Sequence, residues 1–280
     1  VQNFRKGVAA RLDLDYDSLR KHNPQLIYAS ATGYGPNGPD SGEPSFDHLA
    51  LARSGVMLAA GEPGMPPLAI SGGVADQMGA IMLAYGVLAA LLARERSGVG
   101  QQVESSHLGS MMMLQGLSLS SRLMNGAAFP RMERGRAGNP LWNHYRCKDD
   151  LWIALAMLQS DRYWPDFARA LDHPEWVDDE RFSDLRARAA NAETVVRELD
   201  TVFATRNRDE WLALLKEREG DFIYTVVNSL DDLPDDPQVR ANDYIVDFEH
   251  PAHGTVQMIG MPVHLSETPG EVRMAAPEFG

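Results

Sequence analysis

Short β-leaning runs alternate with longer helical ones along the first part of this chain. Residues 26–30 read Leu-Ile-Tyr-Ala-Ser, a compact apolar run that predicts a buried strand, and residues 102–104 predict a second, shorter one. Helical character runs over 15–22, ending at Asn23-Pro24, then over 46–54 and over the Met- and Leu-rich stretch 108–124. The longest pattern starts at Asp76, continues to Ala93 and closes with Arg94-Glu95-Arg96-Ser97-Gly98. Within it, 77–93 is 17 residues without a charge, which brushes the lower edge of transmembrane length. Gly79, Gly86 and many alanines make it only weakly hydrophobic, so the expectation is a buried core helix and no membrane span. Alternation of this kind predicts an α/β layer with buried parallel strands.

Turn chemistry divides the rest. Residues 32–39 and 61–67 are Gly- and Pro-rich loops, and 126–140 lacks periodicity and reads as a linker. Beyond it, Tyr145-Arg146-Cys147 and residues 151–155 flank Lys148-Asp149-Asp150, which predicts a hairpin. Helices are expected over 160–171, 187–205 and 208–218, and a strand over 222–227. The acidic turn 231–237 reads as a boundary, followed by paired strands at 245–249 and 255–259.

Charge narrows the function. A formal net charge of −13 argues against a nucleic-acid groove and against an anionic membrane surface, while leaving room for a local basic pocket. The single cysteine, Cys147, excludes an internal disulfide and a thiolate metal site, and it suits a reducing, cytoplasmic setting. None of the histidines has a partner at metal-ligand spacing. The chain opens on Val1 without an apolar leader and stops soon after Pro277, so it reads as truncated at both ends.

Candidate chemistry centres on Asp76, which follows Ser71-Gly72-Gly73-Val74-Ala75. It is either a helix N-cap or a carboxylate nucleophile for acyl transfer. The free N–H groups of a helix start favour negative charge and help to hold an oxyanion, and glycines at 72 and 73 admit a ligand close to the backbone. Asp47 is a second carboxylate, either a partner of Asp76 in acid–base work or another cap. His48 is a general-base candidate, whereas His107, His144, His253 and His264 are scattered and go to packing or loops. Arg5, Lys6 and Arg11 cluster near the start, as a phosphate site or as a solvated helix start. The methionines of 108–124 either line an acyl pocket or pack a core.

Order and spacing add a further reading. Asn3-Phe4-x-x-Gly7, Asn23-Pro24-x-Leu26-Ile27-Tyr28-x-Ser30 and Gly33-Tyr34-Gly35-x-x-Gly38-Pro39 come first. Phe46-Asp47, the Asp76 segment, Leu88-Ala89-Ala90-Leu91-Leu92-Ala93-Arg94 and Ser97-Gly98-x-Gly100-Gln101 follow. In this order the chain resembles the class III CoA-transferase family, which includes formyl-CoA transferase, carnitine CoA-transferase and the related α-methylacyl-CoA racemases. The resemblance runs over essentially the whole chain. It implies that Asp76 is a covalent nucleophile passing through an aspartyl–acyl anhydride and an aspartyl-CoA thioester, assisted by an acidic residue at Asp47. It also implies CoA contacts by Asn3, Phe4, Arg5, Arg11, Ser45 and Phe46. The substrates it implies are acyl-CoA and a small carboxylic acid, with no permanently bound cofactor.

The implied fold is α/β: a Rossmann-like large domain plus a smaller α/β domain, in an interlocked homodimer. On that basis 1–125 belongs to the large CoA-binding domain, 126–140 is a linker, 141–235 is the small domain and 236–280 returns to the large one. Racemases of the family carry a His where this chain has Phe46, and His48 lies out of register, so transferase is favoured. The alternatives are that racemase and a non-catalytic CoA-binding protein in which Asp76 is only a cap. The family's earliest βα units have no counterpart before Asn3. The glycine-run loop of formyl-CoA transferase is replaced by Arg136-Ala137-Gly138-Asn139-Pro140, which gives no support to oxalate or formyl substrates.

Overall fold

The computed structural model describes residues 1–218 and 220–275. The fold is mixed α/β, and the chain divides into two compact units, Val1–Glu133 and Arg134–Gly280.

Unit 1 begins with two single-turn helices, α1 (Val8–Arg11) and α2 (Tyr16–Leu19), the second capped by Asp15, whose carboxylate accepts from the Ser18 N–H at 3.1 Å. Strand β1 (Tyr28–Thr32) starts two residues later than the pattern 26–30 suggests. Helices α3 (Asp47–Ser54), α4 (Val56–Ala59) and α5 (Val74–Ser97) lead to β2 (Gln102–Ser106), which pairs parallel with β1 from Tyr28↔Gln102 to Thr32↔Ser106. The Gln2 backbone pairs along the other side of β1, donating to the Ala29 carbonyl at 2.9 Å and accepting from the Ala31 N–H at 3.0 Å. Gly100 turns α5 into β2 so tightly that a Cβ there would lie 2.1 Å from the Leu26 carbonyl oxygen. The parallel pairing is as expected, but only β1 is well buried; β2 is half exposed.

Residues 108–124 form two helices rather than one, α6 (His107–Leu114) and α7 (Gly116–Asn125). The break falls at Gln115, whose backbone leaves helical geometry and whose side-chain amide donates to the Ser54 and Met111 carbonyls. A helix-poor Gly116 follows at once. The core of unit 1 is small: Ala50, Leu51, Met57, Ala75 and Met111, flanked by Val56, Val74 and Met78. Helix α5 corrects the expectation of a buried helix. Ala75, Gly79, Leu83 and Ala90 are buried, whereas Ile81, Tyr85, Leu88 and Leu92 form an exposed stripe. By length and composition alone α5 could cross a membrane; apolar content did not translate into burial within this chain.

Unit 2 is built on an antiparallel sheet. Strands β3 (Trp142–Arg146) and β4 (Trp152–Ala156) form the hairpin expected around Lys148-Asp149-Asp150, and Asp150 takes the positive φ, +65°, that the turn requires. Helix α8 (Ser160–Ala170) follows. The stretch 187–205, expected as one helix, is two: α9 (Leu185–Ala190) and α10 (Ala192–Phe203), separated at Asn191, whose side chain bonds back to the Ala187 carbonyl. Helix α11 (Arg208–Glu217) starts with a capping box between Asn207 and Glu210, and β5 (Tyr224–Val227) then pairs with β4. Helix α12 (Pro237–Ala241) precedes a second hairpin, β6 (Ile245–His250) and β7 (Gly254–Ile259), at the paired positions read from sequence. The core is large and aromatic. Tyr145 stacks on Phe203 at 5.0 Å, Phe203 meets Trp211 at 5.0 Å, and Trp164, Trp176 and Phe182 each pack against the other two. A fully buried Arg188 bonds to the Phe182 carbonyl, the Ser160 hydroxyl and the Asp161 carboxylate, with its guanidinium over Trp164.

Candidate active site

Because β1 and β2 are parallel and in register, Thr32 and Ser106 end side by side, and the loops leaving them open a cavity of about 720 Å³ in unit 1. Crevices beyond the carboxyl ends of parallel strands are the usual ligand sites of such sheets. Five segments line it: Val1 to Lys6, the end of β1, the loop carrying Ser45 and Phe46, the first turns of α5, and Ser105 to His107. Gly33 permits the closure, since a Cβ there would sit 2.2 Å from the Cβ of Ser45.

Asp76 faces this cavity, but it is not the N-cap of α5. The helix begins at Val74 with Gly73 as its cap, and Gly72 and Gly73 take φ of +96° and +70°, a left-handed turn suited to glycine. Asp76 therefore lies in the first turn, its carboxylate 57 % exposed. The cap comes from elsewhere. Asp47, the first residue of α3, accepts through Oδ1 from the Ala75 N–H at 2.6 Å and from the Asp76 N–H at 3.3 Å. The Gln77 N–H donates to the Gly73 carbonyl at 2.8 Å. The amides of 75, 76 and 77 are thus engaged, where the sequence suggested free helix-start donors. Asp47 sits behind Asp76 and holds its backbone; it does not line the cavity.

Sequence reasoning missed His107. Its Nε2 stands 3.3 Å from Asp76 Oδ1, with the ring 22 % exposed and Nδ1 buried without a hydrogen-bond partner. Gly79 makes room on α5, since a Cβ there would lie 2.9 Å from His107 Cδ2. No spacing rule links positions 76 and 107. The available signal was that His107 directly follows a strand paired in parallel with β1, which puts it at the ligand-binding edge of the sheet.

Asn3, Phe4, Arg5, Ser45 and Phe46 all line the cavity with Asp76, and Phe46 is 76 % exposed at its wall. Lys6 lines it too, its ammonium donating to the Pro36 carbonyl and Ser41 hydroxyl. Arg5 is exposed and makes no side-chain hydrogen bond or ion pair among the described residues. Arg11 lines neither this cavity nor a smaller neighbour of about 240 Å³ that also touches Arg5 and Lys6. His48 likewise lies outside both.

Comparison with known proteins bears on this arrangement. The chain is 28 % identical over 281 residues to an (R)-2-hydroxy-4-methylpentanoate CoA-transferase of Clostridioides difficile, covering all of this chain and 69 % of that protein. It is 31 % identical over 273 residues to a succinyl-CoA:mesaconate CoA-transferase of Haloarcula hispanica, covering 96 % and 67 %. It spans about two thirds of the length of these curated relatives. A crystal structure of a CAIB/BAIF family protein from Brucella suis superposes with a TM-score of 0.86 at 26 % identity, over 99 % of this chain and 71 % of that one. The family model described as CoA-transferase family III matches residues 1–280, and with Asp76 and the N-terminal segment lining one cavity and Asp47 holding the helix start behind it, the chain belongs to that family.

Proposed function

We propose that the protein moves CoA between an acyl-CoA and a small free carboxylic acid, with Asp76 as covalent nucleophile. One observation carries this reading: the Asp76 carboxylate is exposed to the cavity while a second carboxylate, Asp47, takes over the capping of its helix. In the proposed sequence, one Asp76 oxygen bonds the acyl carbonyl carbon and the C–S bond breaks, its electron pair leaving as CoA thiolate. The thiolate attacks the aspartyl carbonyl of the anhydride, and the donor acid departs with the bridging oxygen. The acceptor carboxylate then attacks the aspartyl-CoA thioester, and the displaced thiolate attacks the new acyl carbonyl to regenerate the Asp76 carboxylate. No permanently bound cofactor enters these steps. The Arg5 guanidinium supplies a cation for the phosphates of CoA, and Phe46 an apolar wall. Names of relatives, which include a hydroxy-acid and a dicarboxylate CoA-transferase, support small acids as substrates.

A racemase needs two acid–base groups on opposite faces of a carbon. Asp76 and His107 instead touch each other, and Phe46 carries no proton. The same reading takes unit 1 as part of a Rossmann-like CoA-binding domain and the protein as a homodimer. The exposed apolar stripe of α5 supports the dimer, being surface of the kind that a partner covers.

Asp76→Asn and Asp76→Ala test the reading. Each lowers CoA transfer by about 10³-fold or more while far-UV dichroism and unfolding midpoint stay near wild type. Transfer by purified Asp76→Asn at wild-type rate contradicts it.

A further inference from the structure

We infer that His107 is a catalytic residue, its Nε2–H being the donor that stabilises the oxyanion on Asp76 Oδ1. The inference rests on the proposed nucleophilic role of Asp76. Two of the proposed steps are attacks on the Asp76 carboxyl carbon itself: thiolate on the anhydride, and acceptor carboxylate on the thioester. Each moves the C=O electron pair onto the oxygen that Asp76 keeps, and each collapses by expelling the other substituent. That retained oxygen needs a fixed donor.

The amides of 75, 76 and 77 in the first turn of α5 do not provide one. The amides of Ala75 and Asp76 are held by Asp47, and that of Gln77 by the Gly73 carbonyl. His107 Nε2 lies 3.3 Å from Oδ1, within reach of it. The ring's other nitrogen decides the tautomer. Nδ1 is buried and has no partner, so placing the proton on Nε2 leaves only a lone pair unsatisfied, whereas placing it on Nδ1 buries an unpaired N–H. Nε2 therefore carries the proton and is the donor within reach of Oδ1. The ring is held there by the N-terminal turn of α6 and by the absence of a side chain at Gly79. Contact with Oδ1 marks that oxygen as the one retained and leaves Oδ2 to form and break bonds.

The two attacks on substrate acyl carbons place their oxyanions on the substrate, away from His107. Loss of the donor thus slows formation and breakdown of the aspartyl-CoA thioester selectively. The test uses the purified protein with succinyl-CoA and acetyl-CoA as donors and mesaconate and 2-hydroxy-4-methylpentanoate as acceptors. Wild type, His107→Leu, His107→Gln and His107→Phe are compared by steady-state kinetics and by rapid-quench mass spectrometry of the Asp76–CoA thioester. The expected result is a fall in kcat of about 10²-fold for His107→Leu, with KM for acyl-CoA within about twofold, and matching slow formation of the thioester. Gln, whose amide nitrogen reaches the same place, recovers about tenfold of the loss. If His107→Leu does not fold, His107→Phe, which keeps the ring shape without a donor, carries the comparison. Wild-type kcat in the donorless variant, a loss confined to KM, or a folded Gln variant as slow as Leu each overturns the inference. Wild-type protein that forms no Asp76 adduct with either donor overturns the proposed function instead.

Discussion

The two units reach order by different means. Unit 2 buries Tyr145, Trp164, Phe167, Phe203 and Trp211 in one aromatic core, and three of its helices start on side chains adjacent in sequence, Asp184 for α9, the Asn207–Glu210 box for α11 and Asp236 for α12, as Asp15 and Ser106 do for α2 and α6 in unit 1. The main apolar cluster of unit 1 holds five buried residues among those described, and its longest helix is capped by a side chain from another helix. Long-range capping by Asp47 frees the Asp76 carboxylate from capping duty, at the edge of a sheet where a ligand can reach it. The cavity, the exposed carboxylate and the left-handed Gly72–Gly73 turn all lie in the unit with the thinner core.

The largest effect that separates the units is chemical. Asp76→Ala removes transfer, yet leaves unit 2 with wild-type resistance to denaturant. Cys147 reads this out directly. Its thiol is buried in unit 2, and burial, with Asp149 adding to it, pushes its pKa up to about 11, so iodoacetamide at pH 8 modifies it only when that unit opens. The labelling rate is the same in wild type and Asp76→Ala.

The next effect inverts the first. Phe203→Ala destabilises unit 2 by about 3–5 kcal/mol, because Phe203 is fully buried between Tyr145 and Trp211. Cys147 labelling accelerates accordingly, while the site residues of unit 1 are untouched by the substitution.

Asp47 gives a smaller, graded effect. Asp47→Ala costs about 1 kcal/mol of stability and lowers transfer by releasing the first turn of α5, whereas Asp47→Asn keeps an acceptor oxygen and stays within a few tenths of a kcal/mol of wild type. If Asp47 were instead a direct acid–base partner, Asn and Ala would be equally inactive, which kinetics on the two variants decides.

The smallest effect is in pH dependence. Asp236 caps α12, and hydrogen bonds from the Val239 and Gln238 amides hold its pKa below the ordinary aspartate value near 3.8. A depressed folded pKa means that its contribution is present above that value and is lost as pH falls through the folded one. Asp236→Asn therefore lowers the unfolding midpoint slightly at pH 7, where the carboxylate's contribution is present, and converges with wild type below about pH 4, which flattens the acid limb in a pH series of denaturant melts.

These contrasts also explain what was legible in the sequence. The hairpin about Lys148-Asp149-Asp150 and the pair β6–β7 were readable because turn residues and strand pattern sit together. Asp76 was readable because glycines and an apolar run surround it. The breaks at Gln115 and Asn191 were not, since neither residue is a strong breaker and each acts through a side-chain bond to a neighbouring carbonyl. Nor was the exposed stripe of α5, because apolar spacing reports a face and not what covers it. The cap by Asp47 and the approach of His107 depend on which elements the sheet brings together. Sequence distance carries no signal for either contact.

Covalent acylation of Asp76 is the proposed step on which the other roles depend. Intact-protein and peptide mass spectrometry after mixing the protein with acyl-CoA and hydroxylamine tests it most directly, because hydroxylamine converts an activated carboxyl group to a hydroxamate. The expected result is a gain of about 15 Da that maps to Asp76 and is absent from Asp76→Asn. Turnover of acyl-CoA and acid by the wild-type protein with no gain at Asp76, or with the gain on another residue, contradicts it.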